Sequence, residues 1–136
     1  MRGETESVRA ANQRFYEALS RQSLVDLEQI WSHAPHVRCV HAGERLFAGW
    51  EAIRQSWREI FGSSICRTVV PHDPQIALFG STAIVVCREE ITSITPSGSS
   101  QGVALSTNVF ERRDGRWLLV HHHASPLGGG RAPGTA

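Results

Sequence analysis

Apolar residues recur every three or four positions over the first sixty residues and every second position over much of the rest, so helices precede a sheet. Val8, Ala11, Phe15 and Leu19 form one stripe over 7–20, with Arg9, Gln13 and Glu17 on other faces. Ser23 is placed to cap a second helix, with Asp26 in its first turn, where a carboxylate meets the positive end of the helix dipole. Leu24, Leu27, Ile30 and Trp31 make that helix's stripe. Pro35 then ends helical continuation and hands over to a short strand over 36–41. A glycine-containing turn, a second short strand and a helix opened by Gly49 follow, the helix carrying Trp50, Ile53, Trp57 and Ile60 on one face. From residue 65 the segments 65–70, 75–79, 82–95, 102–112 and 116–124 are rich in β-branched residues. Pro71 and Pro74 predict a bulge or bend between the first two. Phe79-Gly80-Ser81, Pro96-Ser97-Gly98 and Asp114-Gly115 supply hairpin turns. Consecutive hairpins with helices on one face predict an α+β domain over 1–126, three N-terminal helices on a curved, mostly antiparallel sheet. The glycine- and proline-bearing segment 127–136 is expected to be a flexible tail.

Composition narrows the chemistry. The 136 residues fit one domain with a sizeable core, and the net charge of +1 leaves no footprint for nucleic acid or an anionic membrane. All 14 basic residues are arginine. Schiff-base lysines, lysine general bases and Walker-type phosphate loops are therefore excluded. Cys39, Cys66 and Cys87 stand far apart without a C-x-x-C pair, and the polar run after Met1 lacks an apolar leader, so a cytoplasmic protein is expected. No stretch reaches the roughly 20 apolar residues that span a bilayer. Residues 83–86 and 118–120 are apolar on both strand faces, which predicts sheet-on-sheet homodimerisation; scattered surface valines are the other explanation.

The segment HVRCVHAGERLFAGWEAIRQSWREIF (36–61), followed by strands ending in TNVFERRDGRWLLVHHHASP (107–126), resembles a known arrangement. It is that of nuclear transport factor 2, ketosteroid isomerase and the SnoaL-like polyketide cyclases. The ending HHHAS (121–125) is similar to SnoaL-like sequences in particular. The resemblance implies a cone-shaped, cystatin-like fold wrapped around one deep cavity that takes a small hydrophobic ligand, with no cofactor or metal. It also implies what is missing. Phe15 stands where the isomerase has a tyrosine, with Tyr16 one step away on another helical face; Cys39 and Asn108 stand where it has two aspartates. Isomerisation through those groups is therefore not expected.

A different polar set occupies the same places. If Cys39 faces the cavity, strand alternation turns Val37 and His41 with it and Arg38 and Val40 away. His41 is then a candidate general acid or base, because an ordinary imidazole titrates near ~6.5. Asn108 is a candidate hydrogen-bond donor to a carbonyl or developing oxyanion. Against this, His41 can merely close the strand end and Asn108 bond the backbone. Cys39 can pair with His41 as a nucleophile, but packing is favoured, since a buried thiol behaves as a small apolar group. The resemblance points Val120 and His122 into the cavity, making His122 a third catalytic candidate, while a one-residue uncertainty in the last hairpin would substitute His121 and His123. His123 is kept as a family mark in the substrate-binding set with Phe15, Cys39, Trp57 and Val120. The H-x-H spacing with His36 or His41 could hold zinc, though it matches no zinc signature. Trp31 and Trp50 read as core and Trp57 as cavity wall. Glu89 and Glu90 lie on opposite strand faces, so one can point inward; buried, it would have a raised pKa and add an acid–base group. The function expected is proton-transfer chemistry on a hydrophobic carbonyl compound, of isomerase, cyclase or dehydratase type. A non-catalytic binding or oligomerisation module of the same fold is the alternative.

Overall fold

The computed structural model describes residues 3–128. Helices α1 (Glu4–Arg21), α2 (Leu24–Ile30) and α3 (Trp50–Phe61) cover a six-stranded sheet made of β1 (Arg38–Val40), β2 (Leu46–Ala48), β3 (Cys66–Phe79), β4 (Thr82–Thr95), β5 (Gly98–Arg113) and β6 (Arg116–Pro126). The strand order is β2-β1-β6-β5-β4-β3. Only β1 and β6 pair in parallel; every other neighbour is antiparallel.

Local chemistry sets the helix boundaries. Gln22 ends α1 at a positive φ of 55°, and its N–H bonds back to the α1 carbonyls of Ala18 and Leu19. Ser23 Oγ accepts the Asp26 N–H at 3.1 Å, starting α2 one residue later. Gly49 opens α3 at φ 86°, where a side chain would be strained. The three helices share one core with the sheet: Val8 and Phe15 of α1, Leu27 of α2, Trp31 just after it and Ile53 of α3 are fully or almost fully buried in a cluster with Phe110 and Leu119.

Pro71 and Pro74 do not split β3. The register to β4 slips between His72 and Gln75, and Asp73 adopts φ 52°, so a bulge absorbs both prolines within one strand. A second bulge governs β6. Phe110 pairs with Leu119 and Val109 with His121, leaving Val120 as the extra residue. Trp117 and Leu119 are buried on the helix side before it, His122 and Ala124 after it. This shift in phase selects His122 as the inward histidine.

Leu127 donates its backbone N–H to Val103 O at 2.9 Å, so its backbone is held beside β5 rather than beginning a loose tail. The remainder of the expected flexible segment, 129–136, lies outside the described residues.

Candidate functional site

Sheet register places the inward side chains in rows. Cys39, His122, Asn108 and Val85 stand side by side across β1, β6, β5 and β4. The next row holds Ala124, Ser106 and Cys87, and the one beyond it Ala104 and Glu89. Above them, Asn12 and Tyr16 hang one turn apart from α1 and are 2 % and 1 % exposed. A polar pair at i, i+4 within an otherwise apolar helix face is a legible sign of a buried network, and sequence reasoning weighed Tyr16 only by its offset from Phe15.

The network has a defined direction. Asn108 Nδ2 donates to Asn12 Oδ1 at 2.9 Å and to Tyr16 Oη at 3.0 Å. With its amide hydrogens so engaged, Asn108 meets His122 through Oδ1, 2.6 Å from Nδ1. His122 must therefore carry its hydrogen on Nδ1 and leave Nε2 as an acceptor. Tyr16 Oη donates to Glu89 Oε2 at 2.6 Å and lies 2.7 Å from Ser106 Oγ.

The two ends of this chain, Glu89 and His122, both line one cavity of about 470 Å³. His41, Phe47, Ser56, Trp57, Arg67 and Ile91 contribute to its wall. Among the described residues, His122 Nε2 has no protein hydrogen-bond partner, while the Glu89 carboxyl is also within reach of the Ser106 hydroxyl. A larger surface groove, about 630 Å³ between α1, α2 and the β5–β6 turn, contains Arg14, Arg21 and Arg116. Asp26 pairs with Arg21 there and Gln29 O accepts from Arg116, and no buried titratable group faces that groove. Among the described residues, the buried titratable groups Glu89, His122 and His41 border the sheet cavity instead.

Burial shifts the titratable groups in opposite senses. Loss of solvent pushes the Glu89 carboxyl above its ordinary 4.5, with the Tyr16 hydrogen bond working the other way. Loss of solvent pushes His122 down to about 3, with smaller contributions from His41, His121 and His123. It pushes His41 down to about 4. Each group is thus held toward its uncharged form.

The candidate residues separate accordingly. His41, Trp57 and His122 reach the cavity wall. His41 Nε2 lies 2.8 Å from Ser56 Oγ, which donates to Ile53 O at 2.7 Å. Its ring meets Trp57 edge-to-face at 4.3 Å. Asn108 is fully buried and spends both amide hydrogens inside the network, so it does not donate to a ligand. Phe15 is packed behind the wall, against His122 at 5.0 Å and Trp57 at 6.1 Å, and touches no cavity space. Val120 is taken into the core by the bulge. Cys39 is buried, and desolvation raises its thiol far above the thiolate range, with Sγ 3.9–4.0 Å from the His41 nitrogens. It is part of the core cluster, and its raised pKa disfavours a thiolate. His123 is exposed on the opposite sheet face with His121, their rings 6.4 Å apart. Among the described residues no three His, Cys, Asp or Glu side chains gather as metal ligands. Trp31 and Trp50 belong to the core. Glu89 is the inward carboxylate of the adjacent pair and Glu90 the outward one, 3.3 Å from His72.

The SnoaL-like domain family matches residues 8–128. A proposed dehydratase of the NTF2-like family from Streptomyces avermitilis is 30 % identical, with a TM-score of 0.85 over 91 % of this chain and 97 % of that one. A proposed calcium/calmodulin-dependent protein kinase type II association domain from Thiobacillus denitrificans is also 30 % identical, with a TM-score of 0.74 over 88 % and 94 % of the two chains. The F-box protein SKIP8 of Arabidopsis thaliana is 28 % identical over 123 residues, 90 % of this chain. This chain spans about half of that relative's length (51 %). A sheet of six strands under three helices, enclosing a polar-floored cavity, accompanies these matches, and the chain belongs to the SnoaL-like domain family of the nuclear transport factor 2-like superfamily.

Proposed function

We propose that the cavity binds a small, uncharged, hydrophobic carbonyl compound and moves a proton on it without a cofactor. The observation that carries this reading is the opposed effect of burial on two groups sharing one cavity. Glu89 is pushed up and His122 down, which supports the carboxylic acid as donor and the neutral imidazole as acceptor. In such a step His122 Nε2 takes a proton from the carbon beside the carbonyl. The C–H electron pair becomes a carbon–carbon double bond, and the carbonyl oxygen receives the Glu89 proton. An enol, an imidazolium and a carboxylate result. Returning the proton at another carbon isomerises the substrate; expelling a β-hydroxyl as water dehydrates it. His41 borders the same space and supplies a second uncharged imidazole, while Trp57 and Phe47 give apolar wall.

Solvent deuterium exchange at the α-carbons of a panel of uncharged aliphatic and aromatic ketones tests this. The expected result is catalysed exchange, reduced about 100-fold or more in Glu89→Gln and in His122→Gln. Ketone binding without exchange above the buffer rate, equal in the wild type and both variants, would leave a carrier instead of an enzyme.

The assembly proposed is a homodimer through the outer sheet face. Leu105 is 44 % exposed there, and Val109, opposite Ile84 and His121, is half-buried farther along the same face of β5. The matched association domain, a protein module named for assembly, supports self-association of this fold. A cytoplasmic location is part of the same proposal, supported by three unpaired cysteines. No described helix is long and apolar enough to cross a membrane.

A further inference from the structure

The hydrogen bonds between the two ends of the cavity all point the same way. His122 Nδ1–H donates to Asn108 Oδ1, Asn108 Nδ2–H to Tyr16 Oη, and Tyr16 O–H to Glu89 Oε2. Each dipole in the series has its positive end toward Glu89 and its negative end toward His122. Aligned bonds polarise one another, so the series is stronger than its separate parts.

An aligned chain of this kind favours one charge distribution. Positive charge on His122 tightens its bond to the Asn108 carbonyl, and negative charge on Glu89 tightens the bond from Tyr16. An amide does not pass a proton along readily, so the chain transmits orientation and field, not protons. We infer that Tyr16 and Asn108 are positioning residues that fix His122 as its Nδ1–H tautomer and couple its gain of positive charge to the negative charge on Glu89. Asn12 completes the device, because its Oδ1 accepts the second Asn108 amide hydrogen and thereby forbids the flipped amide. A flip would set two carbonyl oxygens 2.9 Å apart and leave Nδ2 facing His122.

Arg67, Glu44 and Glu59 are charged side chains on the wall of the same cavity, and the groups packed directly on the chain are polar or aromatic. Cys87 Sγ lies 3.3 Å from Ser106 Oγ and 3.5 Å from Tyr16 Oη, and both side chains are buried. Phe15 covers the His122 ring from α1, Trp57 flanks it from α3, and His41 approaches from the end of β1. On the outer face His121, His123 and Arg38 are the charged or titratable groups near this register. Glu89 is the carboxyl to which the Tyr16 hydroxyl directs its hydrogen.

This inference rests on Glu89 and His122 forming the acid–base pair proposed above, yet it is read without turnover. Nitrogen-15 shifts of the His122 ring report which nitrogen carries hydrogen, and carbon-13 shifts of the Glu89 carboxyl report its titration. The wild type is expected to show the Nδ1–H tautomer at neutral pH. Tyr16→Phe, which removes the donor to Glu89 Oε2, is expected to raise the Glu89 midpoint by about one pH unit, tenfold in proton affinity. Asn108→Asp keeps an oxygen acceptor for Nδ1–H and should preserve the tautomer, whereas Asn108→Leu should release it to a mixture. Should Asn108→Leu fail to fold, the wild-type tautomer and the Tyr16→Phe titration still decide. An Nε2–H tautomer in the wild type, or a Glu89 midpoint unmoved by Tyr16→Phe, overturns the inference. If tautomer and midpoint behave as stated while no ketone exchanges deuterium, the proposed reaction falls and the coupling stands.

Discussion

His122 and its neighbours His121 and His123 are one residue apart in sequence and a full sheet thickness apart in environment. The inner ring is 3 % exposed, bonded to Asn108 and packed under Phe15. Among its neighbours, His123 is exposed and His121 half-buried beside Arg38. The same division runs along β4 and β5. Glu89, Cys87, Ser106 and Asn108 face the network, while Glu90, Arg88, Leu105 and Thr107 face outward. One face invests polar groups where water is excluded and satisfies nearly all of them. The other spreads ordinary polar and apolar residues over a surface. An inner-face polar group therefore answers to its partners, and an outer-face one to solvent.

The largest contrast is expected between adjacent residues of β5. Asn108→Leu leaves His122 Nδ1–H and Asn12 Oδ1 buried without partners, at about 1–3 kcal/mol each. Its urea-unfolding free energy should fall by about 2–6 kcal/mol. Thr107→Val, on the outer face opposite Val86 and His123, should change it by less than about 0.5 kcal/mol. Equal losses in the two variants would erase the distinction between the faces.

A second, smaller contrast is the response to acid. His41 is held at about 4 and His122 at about 3 against an ordinary 6.5. Below pH 6.5 the unfolded chain binds protons that the folded chain refuses, so this stability is full above 6.5 and declines as pH falls toward 4. Each histidine contributes a slope of about 1.4 kcal/mol per pH unit. Glu89 acts in the opposite sense, because its folded carboxyl is raised above 4.5 and keeps its proton where the unfolded one has lost it. Above 4.5 the three slopes leave a net fall of about 1.4 kcal/mol per unit while the folded Glu89 remains protonated. Glu89→Gln removes the offset, and urea midpoints should then fall more steeply over the span just above 4.5 in which folded Glu89 keeps its proton. An acid limb unchanged by that substitution would show that Glu89 titrates as an exposed carboxylate does.

The sequence made the framework legible because its signals were local. Ser23, Gly49, the turn residues and the alternating strands each act within a few positions, and the structure uses them as read. His41 and Trp57 were also reachable, since strand alternation and the helix stripe assign faces. Val120 and the uncertain histidine phase were not, because a bulge is decided by pairing with a strand ten residues earlier. The partners of Asn108 were hidden for a related reason. Whether an amide can donate to a ligand depends on what already takes its hydrogens, and Asn12 lies 96 residues away. Glu89 differs from Glu90 only by phase, and Tyr16, 73 residues distant, is what makes that phase chemical.

The smallest effect on folding is expected on the outer face, where it nonetheless decides the assembly. Leu105 lies between Arg88 and Ser125 in the register, pointing away from the cavity, and remains 44 % exposed. Replacing it by arginine removes apolar surface that is already half in water, so the protomer should lose less than about 0.5 kcal/mol. If two copies meet through this face, the same change places two guanidinium groups in or near a shared apolar contact. Sedimentation at micromolar concentration should then show wild-type dimers and monomeric Leu105→Arg. The His122 ring nitrogens should keep their shifts, because the inner network lies on the other side of the sheet. Wild-type monomers would remove the dimer, and altered His122 shifts in the variant would mean that the two faces are coupled through the strand between them.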